Sequence, residues 1–274
     1  MNQEEQKRIV GLSLDEKINY SKIIITEALS RFTRDDLYIA WTGGKDSTIM
    51  LWLFREACKD LGQPIPGAMF IDEGHVFEEI IELVDKVKNE WNIEVSFIKN
   101  TDVSDKAKNV GDLIRISDLN ERNRKEIEKL EFTEDTFPFE PESFVGNHLM
   151  KTVAMNLFIE ENNIKALATA IRWDEQEARI KEDFFSPRNN PDHTRIHPIL
   201  HFKERDIWDT IHKNNIPFCS LYYIGYRSLG AKGSTFKNSD IPAWEQDLEN
   251  TSERAGRSQG KEEIMEQLRS LGYM

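Results

Sequence analysis

The sequence predicts an α/β protein with a mostly parallel sheet covered by helices on both faces. Three observations carry this expectation. Short apolar runs at residues 37–41, 67–71 and 166–171 alternate with longer amphipathic stretches, the alternation that builds parallel sheets. The first run leads directly into Trp41-Thr42-Gly43-Gly44-Lys45-Asp46-Ser47-Thr48, a glycine turn followed by an amphipathic stretch at 48–57, which reads as strand, turn and helix. With 274 residues and 39% hydrophobic content, the chain is long enough to bury a substantial core.

The elements follow in order. An amphipathic run predicts a helix at 20–32 ahead of the first strand at 37–41. The helix after the glycine turn ends before Leu61-Gly62-Gln63-Pro64, where Gly and Pro break the pattern. A second strand at 67–71 runs into the turn Asp72-Glu73-Gly74-His75, then a helix at 76–91 with Phe77, Ile80, Ile81, Val84 and Val87 on one face. Residues 94–98 suit a short strand. A charged excursion at 100–144 carries a helix at 119–130. Helical periodicity resumes at 144–161, a buried strand follows at 166–171, another at 195–199, and a helix at 203–213. Residues 1–230 are expected to form one nucleotide-binding domain, and 231–274 a segment that closes the site or binds a partner.

Composition narrows the function classes. A net charge of -13 argues against nucleic acid as the main partner, although Lys45, Arg172, Arg179, Lys181, Arg188, Arg195, Arg254 and Arg257 could still line one local basic groove. No apolar run approaches the roughly 20 residues of a membrane span, and the opening stretch has no apolar leader, so a cytoplasmic location is expected. The two cysteines, Cys58 and Cys219, form no C-x-x-C pair, which speaks against a cysteine-built zinc or iron–sulfur site.

Three stretches carry chemistry. In the glycine turn, Gly43 and Gly44 permit a tight backbone whose amides can approach a phosphate, Asp46 or Ser47 can cap the helix, and Lys45 adds a mobile charge. Asp46 could equally orient Lys45 or hold Mg²⁺. Asp72 and Glu73 end a strand and suit a hard cation or a helix cap. Arg172 and Arg179 flank Trp173-Asp174-Glu175-Gln176-Glu177-Ala178; two helical turns would bring both guanidiniums to one anion, with surface ion pairs as the alternative. In Asp192-His193-Thr194-Arg195-Ile196-His197-Pro198-Ile199 the histidines lack a metal-helix spacing; His197 is expected to face the cleft, with His193 and His201 exposed.

Together these motifs resemble the PP-loop ATP pyrophosphatase superfamily, with its adenine nucleotide alpha hydrolase-like fold. The nearest branch is that of 3′-phosphoadenylyl-sulfate reductases and sulfate adenylyltransferase small subunits. The match runs through the 41–47 turn, Ile71-Asp72-Glu73-Gly74-His75-Val76-Phe77-Glu78, Arg172-Trp173-Asp174-Glu175 with Arg179, His197-Pro198-Ile199-Leu200 and Ile216-Pro217-Phe218-Cys219-Ser220-Leu221-Tyr222. It continues in Arg227-Ser228-Leu229-Gly230 and Thr251-Ser252-Glu253-Arg254-Ala255-Gly256-Arg257. Trp41 and Thr42 depart from the common Ser-Gly-Gly-Lys-Asp-Ser form, and Glu73 replaces a threonine.

The resemblance implies that Thr42, Gly43, Gly44, Lys45, Asp46 and Ser47 hold the phosphates of ATP, with Asp72, Arg254 and Arg257 also at the nucleotide. Asp46 and Asp72 would be the ligands of Mg²⁺, and Lys45, Arg172 and Arg179 would act in catalysis. The implied reaction is adenylyl transfer to sulfate, with a GTPase large subunit or self-association as partner states. Three alternatives stay open: transfer to flavin mononucleotide as in FAD synthetases, phosphoadenylyl-sulfate reduction, and a nonenzymatic ATP-binding regulatory subunit. The reductase reading is disfavoured because no cysteine follows Gly230.

Overall fold

The computed structural model describes residues 1–176, 179–237 and 239–256. Helices α1 (Gln3–Val10) and α2 (Leu14–Arg31) precede the central strand β1 (Leu37–Ala40), and α3 (Lys45–Asp60) springs from the glycine turn. Strand β2 (Gly67–Ile71), helix α4 (Glu78–Trp91) and strand β3 (Val95–Ile98) continue the alternation. Every strand from 37 to 98 thus stands within a residue of its expected place.

One sheet of six strands has the order β3-β2-β1, then β6 (Ala166–Ala168), β8 (Asp192–Ile196) and β7 (Phe185–Asn189). All pairs are parallel except β7 with β8. Alternation along β1 separates two cores. Leu37 and Ile39, with Trp41 beyond the strand, pack into the larger cluster with Ile25, Ile49, Phe54 and Val84 from α2, α3 and α4. Ala40 faces the other way, onto Met155 and Ile159 of α8 (Ala154–Glu161). Helices therefore cover both faces, as the apolar runs predict. The last α-helix among the described residues, α9 (Glu204–Asn214), packs with α2 and α3.

The excursion holds α5 (Thr101–Ser104), a two-stranded antiparallel ribbon of β4 (Leu113–Arg115) and β5 (Thr136–Pro138), and α6 (Glu121–Lys129) between them. Its residues build a separate apolar cluster, with Val103, Ile114, Ile127 and Phe137 closing on Leu149 and Val153.

Three expectations need correction. The periodic run at 144–161 is interrupted: α7 (Phe144–Asn147) passes into a π-helical turn at His148–Val153 before α8. The strand expected at 195–199 lies earlier and is half of a β7–β8 hairpin, because His197-Pro198 ends it and Pro187 with polar neighbours disguises its partner. Pro187 is tolerated there because β7 is an edge strand. The stretch after Arg172 is a turn rather than two helical turns, and residues 177–178 lie outside the described residues.

Candidate functional site

The glycine turn sits at the C-terminal end of β1, where open parallel sheets gather their ligands. Trp41 anchors it: fully buried, its indole Nε1 donates to Thr48 Oγ1 at 3.1 Å. Gly43 takes φ +72°, and a Cβ there would stand 2.7 Å from Ile80 Cγ2, so α4 and the backbone both require glycine. The N-cap of α3 is Gly44, with no side-chain cap. Ser47 therefore does not cap as expected; its Oγ accepts from Thr42 N at 3.2 Å and donates to Gly44 O at 3.0 Å, bracing the turn. Tyr222 Oη accepts from Lys45 N at 3.0 Å. Helix geometry leaves the neighbouring first-turn amides at the positive end of α3 without intrahelical acceptors.

A buried charge network fills the centre. Lys45, 1% exposed, donates from Nζ to Arg227 O at 3.1 Å and to Glu253 Oε1, with Asp46 Oδ2 at 3.4 Å and Glu204 Oε1 at 3.9 Å. Arg172 is fully buried and pairs with Asp46, with Asp174 at 2.9 Å and with Glu253 Oε2 at 2.5 Å. Glu253 thus joins Lys45 and Arg172 with its two oxygens. Burial works against charge in all three groups and is overcome by their mutual attraction. Glu253 is held well below the usual carboxylate range by Arg172 and Lys45, Lys45 is raised by Glu253, and Arg172 is raised by Glu253 and Asp174. Arg227 clamps Glu204 at 2.7 Å and also donates to Thr251 O at 3.1 Å, tying the 247–253 segment to α9.

A cleft of about 260 Å³ opens beside this network. Thr42, Gly44, Lys45, Asp46, Ser47, Arg179 and Arg254 line it, with Glu253 and Tyr222. Its apolar wall comes from Phe70, Ile71, Val76, Met155 and Leu229, and its rim from Lys151, whose Nζ lies 2.5 Å from Glu73 and 2.9 Å from Glu142. Arg179 pairs with Glu175, which also receives Arg254 Nη1 at 3.2 Å.

Other expected residues stand elsewhere. Gly43 and Arg172 lie behind the lining, Asp72 uses its carboxylate on Gly74 N at 2.9 Å, and Arg257 falls outside the described residues. Among the described residues no group of three or more His, Cys, Asp or Glu could hold a metal. The donor set suits only an ion that arrives with its own phosphate oxygens. His193, His197 and His201 are all buried rather than exposed or lining the cleft; Thr169, which does line the cleft, has its Oγ1 2.6 Å from His197 Nδ1. The single basic groove also divides: Arg188 and Arg195 line a different depression, and Lys181 is exposed.

Sequence reasoning passed over Glu253, Tyr222, Arg227 and Glu204 as site residues. The first three lie inside the quoted motifs, but nothing in their spacing shows a carboxylate from position 253 reaching the turn at 45.

Residues 36–237 match the family model for the phosphoadenosine phosphosulfate reductase domain. The chain belongs to this family. Among curated proteins it is 24% identical to sulfate adenylyltransferase subunit 2 of Rhizobium tropici over 234 residues, 77% of this chain and 68% of that one. It is 27% identical to the same subunit of Mycolicibacterium vanbaalenii over 229 residues, 75% of this chain and 63% of that one. The matched part therefore spans about two thirds of those relatives' length. Among solved structures, Candida glabrata FMN adenylyltransferase superposes with a TM-score of 0.64 at 17% identity, covering 92% of this chain and 93% of that one. Phosphoadenylyl-sulfate reductase from Candida auris gives 0.56 at 18% identity, covering 86% and 98%. These likenesses confirm the adenine nucleotide alpha hydrolase-like fold. All these relatives are named as enzymes, and the chain is an enzyme of this family. Among the described residues no helix is long and apolar enough to cross a membrane.

Proposed function

We propose that this protein transfers the adenylyl group of ATP to sulfate, as the small subunit of a sulfate adenylyltransferase. The observation that carries the reading is the carboxylate of Glu253 held between Lys45 Nζ and Arg172 at the start of α3, because the groups that grip it are those that grip a phosphate. The names of the relatives supply the acceptor.

In this reading the polyphosphate lies over Gly44, Lys45 and Ser47, with Glu253 displaced from Lys45 as the β- and γ-phosphates enter. The adenosine takes the apolar wall. A sulfate oxygen attacks the α-phosphorus, the bond from that phosphorus to the bridging oxygen breaks, and pyrophosphate leaves with the bond electrons. Sulfate is already anionic, so no general base is needed. Arg179 and Arg254 steer sulfate at the open side, Arg172 holds Asp46 and the end of the turn in place, and positioning with charge stabilisation supplies the catalysis. Mg²⁺ would enter with ATP and offset phosphate charge, with Asp46 on the cleft lining able to hold it and Asp72 outside the lining. In this reading the segment that begins at 231 closes the site through Glu253 and Arg254, with 257–274 outside the described residues; a GTPase large subunit is the partner this reading expects, and cytoplasm is its compartment.

A thiol reduction is disfavoured on chemistry. Burial pushes both Cys58 and Cys219 up to about 11, and neither lines the cleft. The test is an acceptor screen with ATP and Mg²⁺, with and without a GTPase partner, following pyrophosphate and adenylylated product. Sulfate-dependent release of both is expected, and Lys45→Ala should lower turnover by about 10²-fold or more. Product from flavin mononucleotide but not from sulfate, under partner-complete conditions, overturns the assignment.

A further inference from the structure

Thr152 lines the candidate active site from the π-helical turn, and its hydroxyl behaves unlike those of other buried helical threonines in the chain. A threonine inside a helix can turn its hydroxyl back to the carbonyl four residues earlier. Thr48 does so in α3, donating to Gly44 O at 2.9 Å, and Thr210 does so in α9, donating to Asp206 O at 2.6 Å. Thr48, Thr152 and Thr210 are each 2% exposed or less. Of the three, only Thr152 leaves its Oγ1 buried without a hydrogen-bond partner. The carbonyl it would use belongs to His148, where the π-helical turn begins, and the wider winding there takes the hydroxyl off the acceptor an α-helix would offer.

The surroundings define the missing partner. Met155, three residues on, packs with Ala40 and Leu167 against the sheet, and Phe70, Ile71 and Val76 complete the apolar wall of the cleft. Thr169, a second buried threonine on the cleft, is already engaged with His197 Nδ1 at 2.6 Å. An unpaired buried hydroxyl is destabilising, whereas a single polar group set in an apolar wall is what fixes the orientation of a small ligand. A hydroxyl offers one hydrogen and two lone pairs, so it is matched by a group that presents a donor beside an acceptor. Adenine does this with its 6-amino group and the adjoining ring nitrogen; a 6-oxopurine puts a carbonyl acceptor where the amine stood.

We propose that Thr152 reads the 6-amino group of the purine and makes the cleft selective for a 6-aminopurine nucleotide over its 6-oxo counterpart. The inference rests on reading the cleft as an ATP site and not on sulfate as the acceptor. The hydroxyl oxygen accepts from the amine, its hydrogen goes to the adjoining ring nitrogen, and the base lies along the wall of Met155 and Ile71. The back-bond that the π-helical turn leaves unmade is thus what frees the hydroxyl for the ligand.

Equilibrium binding of the full chain to ATP, inosine triphosphate and purine riboside triphosphate, which lacks the amine, tests this with Mg²⁺ present and sulfate omitted. The parent should bind ATP about tenfold more tightly than either analogue. Thr152→Val, which removes the hydroxyl at nearly the same shape, should bind all three alike, and Thr152→Ser should keep the preference. Because the hydroxyl has no partner within the fold, Thr152→Val should melt no lower than the parent and should bind pyrophosphate equally well. Equal affinity of the parent for the three nucleotides overturns the proposal. So does an ATP preference that survives in Thr152→Val, or a Tm of that variant several degrees below the parent. Failure to bind ATP at all sinks the ATP reading together with this one, whereas base selectivity lost in Thr152→Val, with no product from sulfate, upholds the role of Thr152 and sinks only the acceptor.

Discussion

Replacing Glu253 by Gln removes a carboxylate that hydrogen-bonds both Lys45 and Arg172, leaving two buried cations with one anion fewer. Breaking a buried ion pair by removing one partner costs about 3–5 kcal/mol. The surroundings set the value at the low end. Arg172 keeps Asp46 and Asp174, and Lys45 keeps the Arg227 carbonyl, with Asp46 at 3.4 Å and Glu204 at 3.9 Å. A loss of about 3 kcal/mol is expected. At roughly 2–4 °C per kcal/mol for a chain of this size, Tm should fall by about 6–12 °C. The same change opens an anion position, so pyrophosphate at a hundredfold excess over its Kd for the variant should stabilise the variant by about 2.7 kcal/mol, and the parent by less. Thermal melts of both proteins with and without pyrophosphate read both effects. An unchanged Tm, with equal stabilisation of the two proteins by pyrophosphate, would refute the idea that Glu253 occupies a phosphate position.

Other outcomes are equally concrete. Gly43→Ala places a side chain at φ +72° against Ile80, and should cost about 1–3 kcal/mol in urea unfolding while weakening ATP binding; wild-type values for both would remove the backbone argument. Burial pushes His201 down to about 4, so the unfolded chain takes up its proton first: stability is complete above the ordinary value of 6.5 and is lost as pH falls from there to about 4. His201→Phe should flatten Tm over that window, and an unchanged slope counts against it. Because both thiols are buried and raised to about 11, Ellman's reagent at neutral pH should find none reactive until the protein is denatured; rapid labelling of Cys219 would reopen thiol chemistry.

What could be read from the sequence followed periodicity and local turn chemistry. Gly67–Ile71 has the bounds its apolar run predicts, and Gly43 and Gly44 stand where a strand must turn tightly into a helix. The hairpin failed because edge strand β7 has one side unpaired and tolerates Pro187, so its composition resembles a loop. Burial of His201 follows from packing against a distant element: its Nε2 approaches the Lys17 carbonyl at 3.1 Å, 184 positions away. Arg172 and Arg179 were expected to act together on a helix. The chain turns instead, sending Arg172 inward to Asp46 and leaving Arg179 on the cleft with Glu175. The pairing of Arg172 with Asp46 joins positions 126 residues apart and leaves no trace in spacing.

The contact between Lys45 and Glu253 spans 208 positions. During synthesis the glycine turn, α3 and the sheet strands through β8 emerge long before residue 253, so the nascent fold carries an exposed cationic loop with no carboxylate from the tail. Long-range closure is the slow part of assembly. A ribosome-bound or truncated chain ending before 253 would hold this loop open to cellular polyanions, and the emergence of residue 253 is what first brings the Glu253 carboxylate to it.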